Sequence, residues 1–488
     1  MHYARHIFFR HQKLMTMRIL LLVALTLASL ACKQTAATKA TPGMPGVNTL
    51  RTPDWAKNAV IYEANIRQFS KAGTFNAFTQ DLPRIKDLGV DIIWLMPIYP
   101  ISDTNRKCHD EAKSKCYGSY YAAVDFEAVN PEFGTMADLN RLVNRAHELG
   151  MKVILDFVPN HTGWNSKWMR EHPEWYKKGP DGKITDPVGP DGKKYGWSDV
   201  AQLDYTNPQL REAWMRAHEF WLKNTAVDGF REDVSGEVPT PFWLELRPRL
   251  DKIRPVFMLS ENEDKGKEHF DAAFEMNYGW GLHNTIKEVA SGKKPASAVY
   301  EWTEGIKTKY GTRGWQMNFT QNYDENSWNG TEQESFGAGA DCFTALCFLI
   351  EGTALIYNGQ EASLNRRLLF FNKDEIDWTG KSRAAFFKTL TTLKHNNRAL
   401  WNGPHGGVLQ KIPTSDDAKV YAFTREKNGD KVLCLFNLSK QPAGITWQSD
   451  ASAGKWRNVF GPTQTFVTLK KDERKTLQPY EYVIYSNQ

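Results

Sequence analysis

Residues 227–262 read VDGFREDVSGEVPTPFWLELRPRLDKIRPVFMLSEN. Two short β-rich runs, 227–232 and 255–260, flank a longer stretch, and an acid follows each run directly: Asp233 and Glu261. Similar runs recur at 59–63, 90–96, 152–158, 271–276, 315–320 and 353–357. Amphipathic patterns lie between most of them, for example 76–88 and 135–149, which stop at Gly89 and Gly150 as helices commonly do. Continuous apolar runs suit strands covered on both faces. Eight such units predict an α/β fold, a parallel (β/α)8 TIM barrel over residues 55–398. A doubly wound sheet is the competing arrangement, and eight successive units favour closure.

Residues 162–206, after the third run, are rich in Gly, Pro, Asp, Lys and Trp and read as an inserted loop or subdomain. Past residue 398 the pattern changes to period two. VYAFTRE and KVLCLFNL flank Asn428-Gly429-Asp430, a hairpin signal. Residues 404–488 therefore read as a C-terminal all-β sandwich domain. No internal repeat is present.

The 488 residues are 41% hydrophobic, 24% charged and 12% aromatic, which excludes disorder, collagen and coiled-coil arrays. The net charge is +6, but Arg5, Arg10, Lys13 and Arg18 lie within residues 1–31, which hold no acid. The remaining body is nearly neutral, so no electrostatic footprint for nucleic acid exists. Flat aromatic faces suit sugar rings, and there are 17 tryptophans, although core packing is the simpler reading of any one of them.

Residues 19–31 (ILLLVALTLASLA) follow Arg18 and are too short to span a bilayer. They read as a secretory signal, with Met15 or Met17 as alternative starts. The end, Ser29-Leu30-Ala31-Cys32, resembles the lipobox of bacterial lipoproteins, in which the Cys carries lipid. The plainer alternative is a secretory signal with an incidental Cys. Residues 32–54 read as a flexible tether, which makes the protein exported and held to a membrane by the lipid anchor only. Lys33 is not the Asp associated with inner-membrane retention, so an outer-membrane lipoprotein facing the periplasm or the exterior is expected. Cys108 and Cys116 flank a polar loop and form a plausible disulfide; Cys342 and Cys347, in an apolar run, read as buried thiols. No zinc pattern occurs. A monomer is expected.

Barrel chemistry sits at the C-terminal ends of strands, where Asp156, Asp233, Glu261 and Asp324 fall. Four segments there, DFVPNH (156–161), GFRED (229–233), MLSEN (258–262) and FTQNYD (319–324), resemble the signature regions of the α-amylase family of glycoside hydrolases. LGVDIIWLMPI (88–98), YYAAVDFEAVNPEFGT (120–135) and ALIYNGQE (354–361) extend the resemblance over residues 55–380. It implies a retaining glycosidase acting on α-linked glucans, with a barrel, an insertion after the third strand and a C-terminal β-domain. By motif, Asp233 resembles the nucleophile, Glu261 the general acid/base with Glu263 as runner-up, and Asp324 the third carboxylate. His161, Asn322 and Tyr323 fall in the sugar-binding regions, and Tyr121 resembles the aromatic platform under the sugar. Arg231, counted with the substrate-binding residues and two before Asp233, would face the same way and keep it ionised.

Three departures stand out. Tyr323 replaces the family's second sugar-binding His; it either makes its own sugar contact or packs on the barrel wall. Glu237 stands where amylases often have His. Asn160 matches a frequent calcium ligand, but Gln202 stands where a calcium-binding Asp is common. Calcium prefers several carboxylate oxygens, so no cofactor is required and calcium is left open. The favoured activity is hydrolysis of α-1,4-glucosidic bonds in starch, glycogen or maltodextrins. A transglycosylase or isomerase of the same family would share the covalent intermediate. A non-catalytic glucan-binding lipoprotein would need aromatics but no carboxylate trio.

Overall fold

The computed structural model describes residues 52–109, 116–311, 313–450, 453–461 and 466–488. The signal at 1–31, Cys32 and nearly all of the tether lie outside the described residues. Eight parallel strands close into a barrel: β1 (Ile61–Ala64), β2 (Ile92–Leu95), β3 (Lys152–Phe157), β4 (Gly229–Glu232), β5 (Phe257–Ser260), β6 (Met276–Tyr278), β7 (Trp315–Asn318) and β8 (Thr353–Tyr357). Neighbours pair in chain order, and β8 returns to β1 with Leu355 opposite Ile61. All strand residues but Lys152 are buried, because helices cover the outside and side chains fill the inside.

The crossover helices begin and end where their sequence says. Thr74 caps the helix Phe75–Asp87 through Ala77 N, and Thr135 and Asp138 form a capping box on Met136–Glu148. Gly89 and Gly150 then take φ of 85° and 77°, a region that costs other residues. The sixth strand departs from expectation. It spans Met276–Tyr278 rather than 271–276, and residues 271–272 end the helix Gly266–Ala272. Phe270, Ala272, Ala273 and Phe274 are buried as a strand would bury them, but by a helix end and its connection. A short apolar run does not distinguish the two.

After β3 the chain enters the insertion. His161–Gly163 pairs antiparallel with Val200–Gln202, and the chain between forms the short helix Lys167–Glu171 and several bridges. Trp168 and Trp214 pack edge to face at 4.9 Å and fasten this segment to the barrel's helix Pro208–Asn224.

The C-terminal region has a six-stranded antiparallel sheet and a two-stranded sheet, Ala443–Thr446 with Arg474–Leu477. Ile412, Leu433, Leu435, Ile445, Trp447 and Leu477 form a core separate from the barrel's. Its central hairpin turns at Asn428 and Gly429, both with positive φ (52° and 87°), joining Val420–Lys427 antiparallel to Asp430–Asn437 with Lys427 opposite Asp430. Among the described residues no helix is long and apolar enough to cross a membrane.

Candidate active site

A cleft of about 890 Å³ opens at the C-terminal mouth of the barrel, with Asp233, Glu261 and Asp324 on its wall. Period-two alternation along β4 puts Arg231 and Asp233 inward and turns Glu232 outward to His218, 2.9 Å away on the helix behind. Arg231 is wholly buried beneath the carboxylates. Its Nη1 donates to Asp233 Oδ1 at 2.6 Å and to Asp156 Oδ1 at 2.8 Å, and its Nε donates to Tyr278 Oη at 3.2 Å. Its Nη2 lies 2.8 Å from Glu261 Oε1. One guanidinium therefore bridges Asp233 and Glu261. The rings of Trp94 and Tyr278 face its carbon at 5.1 and 5.4 Å, which keeps water from the charge.

The backbone after the nucleophile position is bent to fit. Val234 has φ of 46° and ψ of 33°, a left-handed conformation rare for a β-branched residue. The bend aims Val234 N at Glu261 Oε2, 2.9 Å away. Strain of this kind costs about 1–3 kcal/mol and collects at working sites.

Burial pushes the Asp233 carboxyl well up, Glu261 adds to the push, and Arg231 opposes it. Asp324 is pushed up to about 7 by burial and Glu261, against Arg231 and Tyr323. Asp156, wholly enclosed, is likewise pushed up to about 7, first by burial. Asp156, Asp233 and Asp324 crowd one cation and do not all ionise easily, so they retain a proton into the neutral range.

Tyr121 is almost wholly buried, lines the cleft and donates its hydroxyl to Asp156 at 3.0 Å. His161 also lines the cleft; burial lowers its pKa to about 3, so the imidazole is neutral. Tyr323 lines the cleft too and stacks on Tyr121 with centroids 5.3 Å apart. It is thus both wall and surface, which narrows the two sequence alternatives to the reach of its hydroxyl. Glu263 accepts from Gly281 N at 2.5 Å and its carbonyl from Tyr310. Its carboxylate is engaged at the start of the helix Trp280–Ser291, which favours Glu261 over Glu263 as the proton carrier.

Two expected sugar contacts lie elsewhere. Asn322 is wholly buried, and its Oδ1 accepts from Glu325 N at 2.8 Å. The strand β7 ends at Asn318, so the alternation that would have aimed this side chain at the cleft has ended before it. Arg231 lies under the carboxylates rather than on the cleft's lining. The sequence reading also passed over Glu63, at the end of β1, which is wholly buried and whose carboxyl burial pushes well up. Its Oε1 accepts from Tyr323 N at 3.4 Å. Trp94, inside the quoted segment 88–98, donates to Asp156 at 3.2 Å. The signal for both was present: polar or amphipathic residues within strand runs.

Gln202, which stands where a calcium-binding Asp is common, is engaged elsewhere. Gln202 Oε1 accepts from Val188 N at 3.1 Å and its Nε2 donates to Val188 O at 3.4 Å, so both ends of the amide are used inside the insertion. Asn160 Nδ2 lies 3.3 Å from His161 Nδ1. Among the described residues no group of three or more His, Cys, Asp or Glu could hold a metal. Cys108 and Cys116 are joined by a disulfide, and Cys342, Cys347 and Cys434 are free and buried.

Comparison with known proteins agrees with this geometry. Residues 52–184 and 194–432 match the alpha amylase catalytic domain, and 410–484 match the maltogenic amylase C-terminal domain. Alpha-amylase MalA of Haloarcula japonica is 26% identical over 444 residues, 86% of this chain, and the chain spans 61% of that protein's length. The crystal structure of an alpha-amylase from Lactobacillus plantarum superposes with a TM-score of 0.77 at 29% identity, covering 89% of this chain and all of that one. That of a noncanonic maltogenic alpha-amylase, AmyB from Thermotoga neapolitana, gives 0.77 at 27% identity over 88% of this chain and 99% of its own. Catalytic domain, cleft and C-terminal domain together place this chain in the α-amylase family of glycoside hydrolases.

Proposed function

We propose that the protein hydrolyses α-1,4-glucosidic bonds of starch, glycogen or maltodextrins with retention of configuration. The observation that carries this is the bridging of Asp233 and Glu261 by Arg231 at the cleft floor. Asp233 attacks the anomeric carbon as Glu261 gives its proton to the glycosidic oxygen, and the leaving sugar departs with a new O–H. The ester so formed is opened by water, whose proton returns to Glu261 while its oxygen bonds to the carbon and Asp233 leaves. Arg231 stabilises whichever carboxylate is ionised at each stage. Asp324, beside the ring, holds hydroxyls and faces the oxocarbenium-like charge. Tyr121 and Tyr323 form the stacked surface against which the sugar rests, and neutral His161 offers a hydrogen bond without adding charge.

Reducing-sugar release from soluble starch tests the reading. Asp233→Asn should lower it by at least about 10⁴-fold, as removing a nucleophile does, with the melting curve at or above wild type because a buried carboxyl is gone. Substantial remaining activity would reassign the nucleophile. The amide clamp of Gln202 supports activity without calcium, so a chelator should leave the rate unchanged; a loss restored by calcium would refute this.

The same reading includes location. The lipobox-like Ser29-Leu30-Ala31-Cys32 supports a lipid-anchored exported enzyme, and the Cys108–Cys116 disulfide suits an oxidising compartment. A fatty-acid label should mark wild type and miss Cys32→Ser; equal labelling would discard the anchor.

A further inference from the structure

Between β2 and the helix Met136–Glu148, residues 101–109 lead out from a neck to which residues 116–123 return. Ile101 bridges Ala123, and Ser102 N donates to Ala122 O at 2.9 Å. The disulfide Cys108–Cys116 ties the outgoing limb to the returning one. Each limb is also fixed to a different side of the cleft. Lys107 Nζ donates to Gly196 O at 2.7 Å and lies 3.5 Å from Asp199 Oδ1, both on the insertion. Cys116 bridges Asn372, and Tyr117 N and Gly118 N donate to Phe371 O at 2.8 and 3.1 Å, on the loop after β8. His109 packs tilted against Phe371 at 5.1 Å and meets Trp328 at 6.0 Å. A covalently stapled bar thus runs from the insertion to the far wall, and Lys107 and Ser119 present it to the cleft.

The chemistry tells which end of the substrate meets the bar. Glu261 protonates the leaving oxygen, so the departing sugars lie along Glu261, Asn262 and Glu263, which line one side of the cleft. The sugar that bonds to Asp233 rests on Tyr121 and Asp324. From there an aromatic wall, Tyr121 to Phe370 to Trp328, leads to Phe371 and His109. The chain on the non-reducing side of the broken bond therefore runs toward the bar.

We propose that the two limbs 107–109 and 116–119, joined by the disulfide, close the non-reducing end of the cleft, so that the enzyme takes α-glucan chains by their non-reducing ends and releases short saccharides of fixed size. This rests on the hydrolase reading above and names the substrate feature it selects. A pinned barrier excludes by clash, and its fixed position needs no ordering on binding.

The test compares maltoheptaose with maltoheptaose whose non-reducing end carries a 4,6-O-ethylidene block, products being separated by chromatography. Wild type should cleave the blocked chain at least about a hundredfold more slowly than the free one. Equal cleavage of both would overturn the closure while leaving glucan hydrolysis intact, whereas failure on both, and on starch, would overturn the hydrolase reading. In the double variant Cys108→Ser/Cys116→Ser, cleavage of the blocked chain should rise at least about tenfold relative to the free chain. A variant that still cleaves the free chain and gains nothing on the blocked one would show that the staple does not hold the barrier. Should the variant fail to fold, the wild-type ratio alone decides whether the end is closed.

Discussion

Two wholly buried arginines, one at the barrel mouth and one at the seam with the C-terminal domain, are held in opposite ways. Arg231 stands among Asp156, Asp233 and Glu261, and against the cost of burial Asp156 and Glu261 raise its pKa. Arg425 has carbonyls only. Its Nη1 donates to Leu349 O and Ile350 O at 3.0 and 2.9 Å, its Nε to Gly407 O at 2.9 Å and its Nη2 to Trp401 O at 3.0 Å. Leu349 ends the helix Ala340–Leu349, so this cation meets the negative end of a helix and stitches β-domain to barrel. Burial lowers its pKa to about 10, which still leaves it charged at neutral pH. The contrast separates a charge that tunes reacting groups from one that satisfies backbone. The first should matter to rate and pH dependence, the second to stability alone.

The largest effect should come from Arg231→Met. Removing one partner of a buried ion cluster costs about 3–5 kcal/mol, equivalent to a loss in kcat/KM on the order of 10²–10⁴-fold if it falls on the transition state. The alkaline limb of the pH profile should also move upward, because the cation that holds the carboxyls down is gone. A purely structural role would change neither the limb nor the rate of the folded fraction.

Arg425→Met should do the reverse, lowering stability by at least about 2 kcal/mol through orphaned carbonyls, with kcat of the folded enzyme within about twofold. Denaturant melts beside steady-state kinetics would check this, and a large fall in kcat would erase the distinction.

The pH dependence of the mouth follows from its upward shifts. Asp156 and Asp324 are pushed up to about 7, above the ordinary carboxyl range near 4. The folded protein binds more protons than the unfolded chain between those values. The stability these groups contribute is therefore fully present below about 4 and lost as pH rises toward about 7. The rate should follow the last proton of the cluster, with kcat/KM falling about tenfold per unit above about pH 7. A profile flat to pH 9 would mean that the proton carrier lies outside this cluster.

Tyr323→Phe carries the smallest expected change. If the hydroxyl touches the sugar, kcat/KM on maltooligosaccharides falls at least about fivefold, the size of one hydrogen bond. An unchanged value leaves Tyr323 as a stacking surface only.

The same contrast shows what the sequence could carry. Seven strands were readable because both faces are buried and the runs are continuous, and the Asn428-Gly429 hairpin because its turn needs two residues at positive φ. Asp233, Glu261 and Asp324 were readable from their places after strand runs. The sixth strand was misplaced because a helix end buries Phe270 and Ala272 as a strand would. Asn322 sits away from the cleft because the strand ends at Asn318, four residues earlier, which no period-two rule anticipates. Arg425 gave no signal, since its partners are backbone atoms from four distant residues. Nor did Gln202, whose partner Val188 lies across a loop without regular structure. Side chains that serve the backbone of remote segments leave no local pattern.

The central claim is that Asp233 and Glu261, bridged by Arg231, carry out a double displacement. It is tested most directly by proton NMR of the first sugars released from maltoheptaose, read before mutarotation equilibrates the anomers. The account predicts α-anomers. Products that first appear as β-anomers would contradict it, because a single displacement by water needs no covalent bond to Asp233.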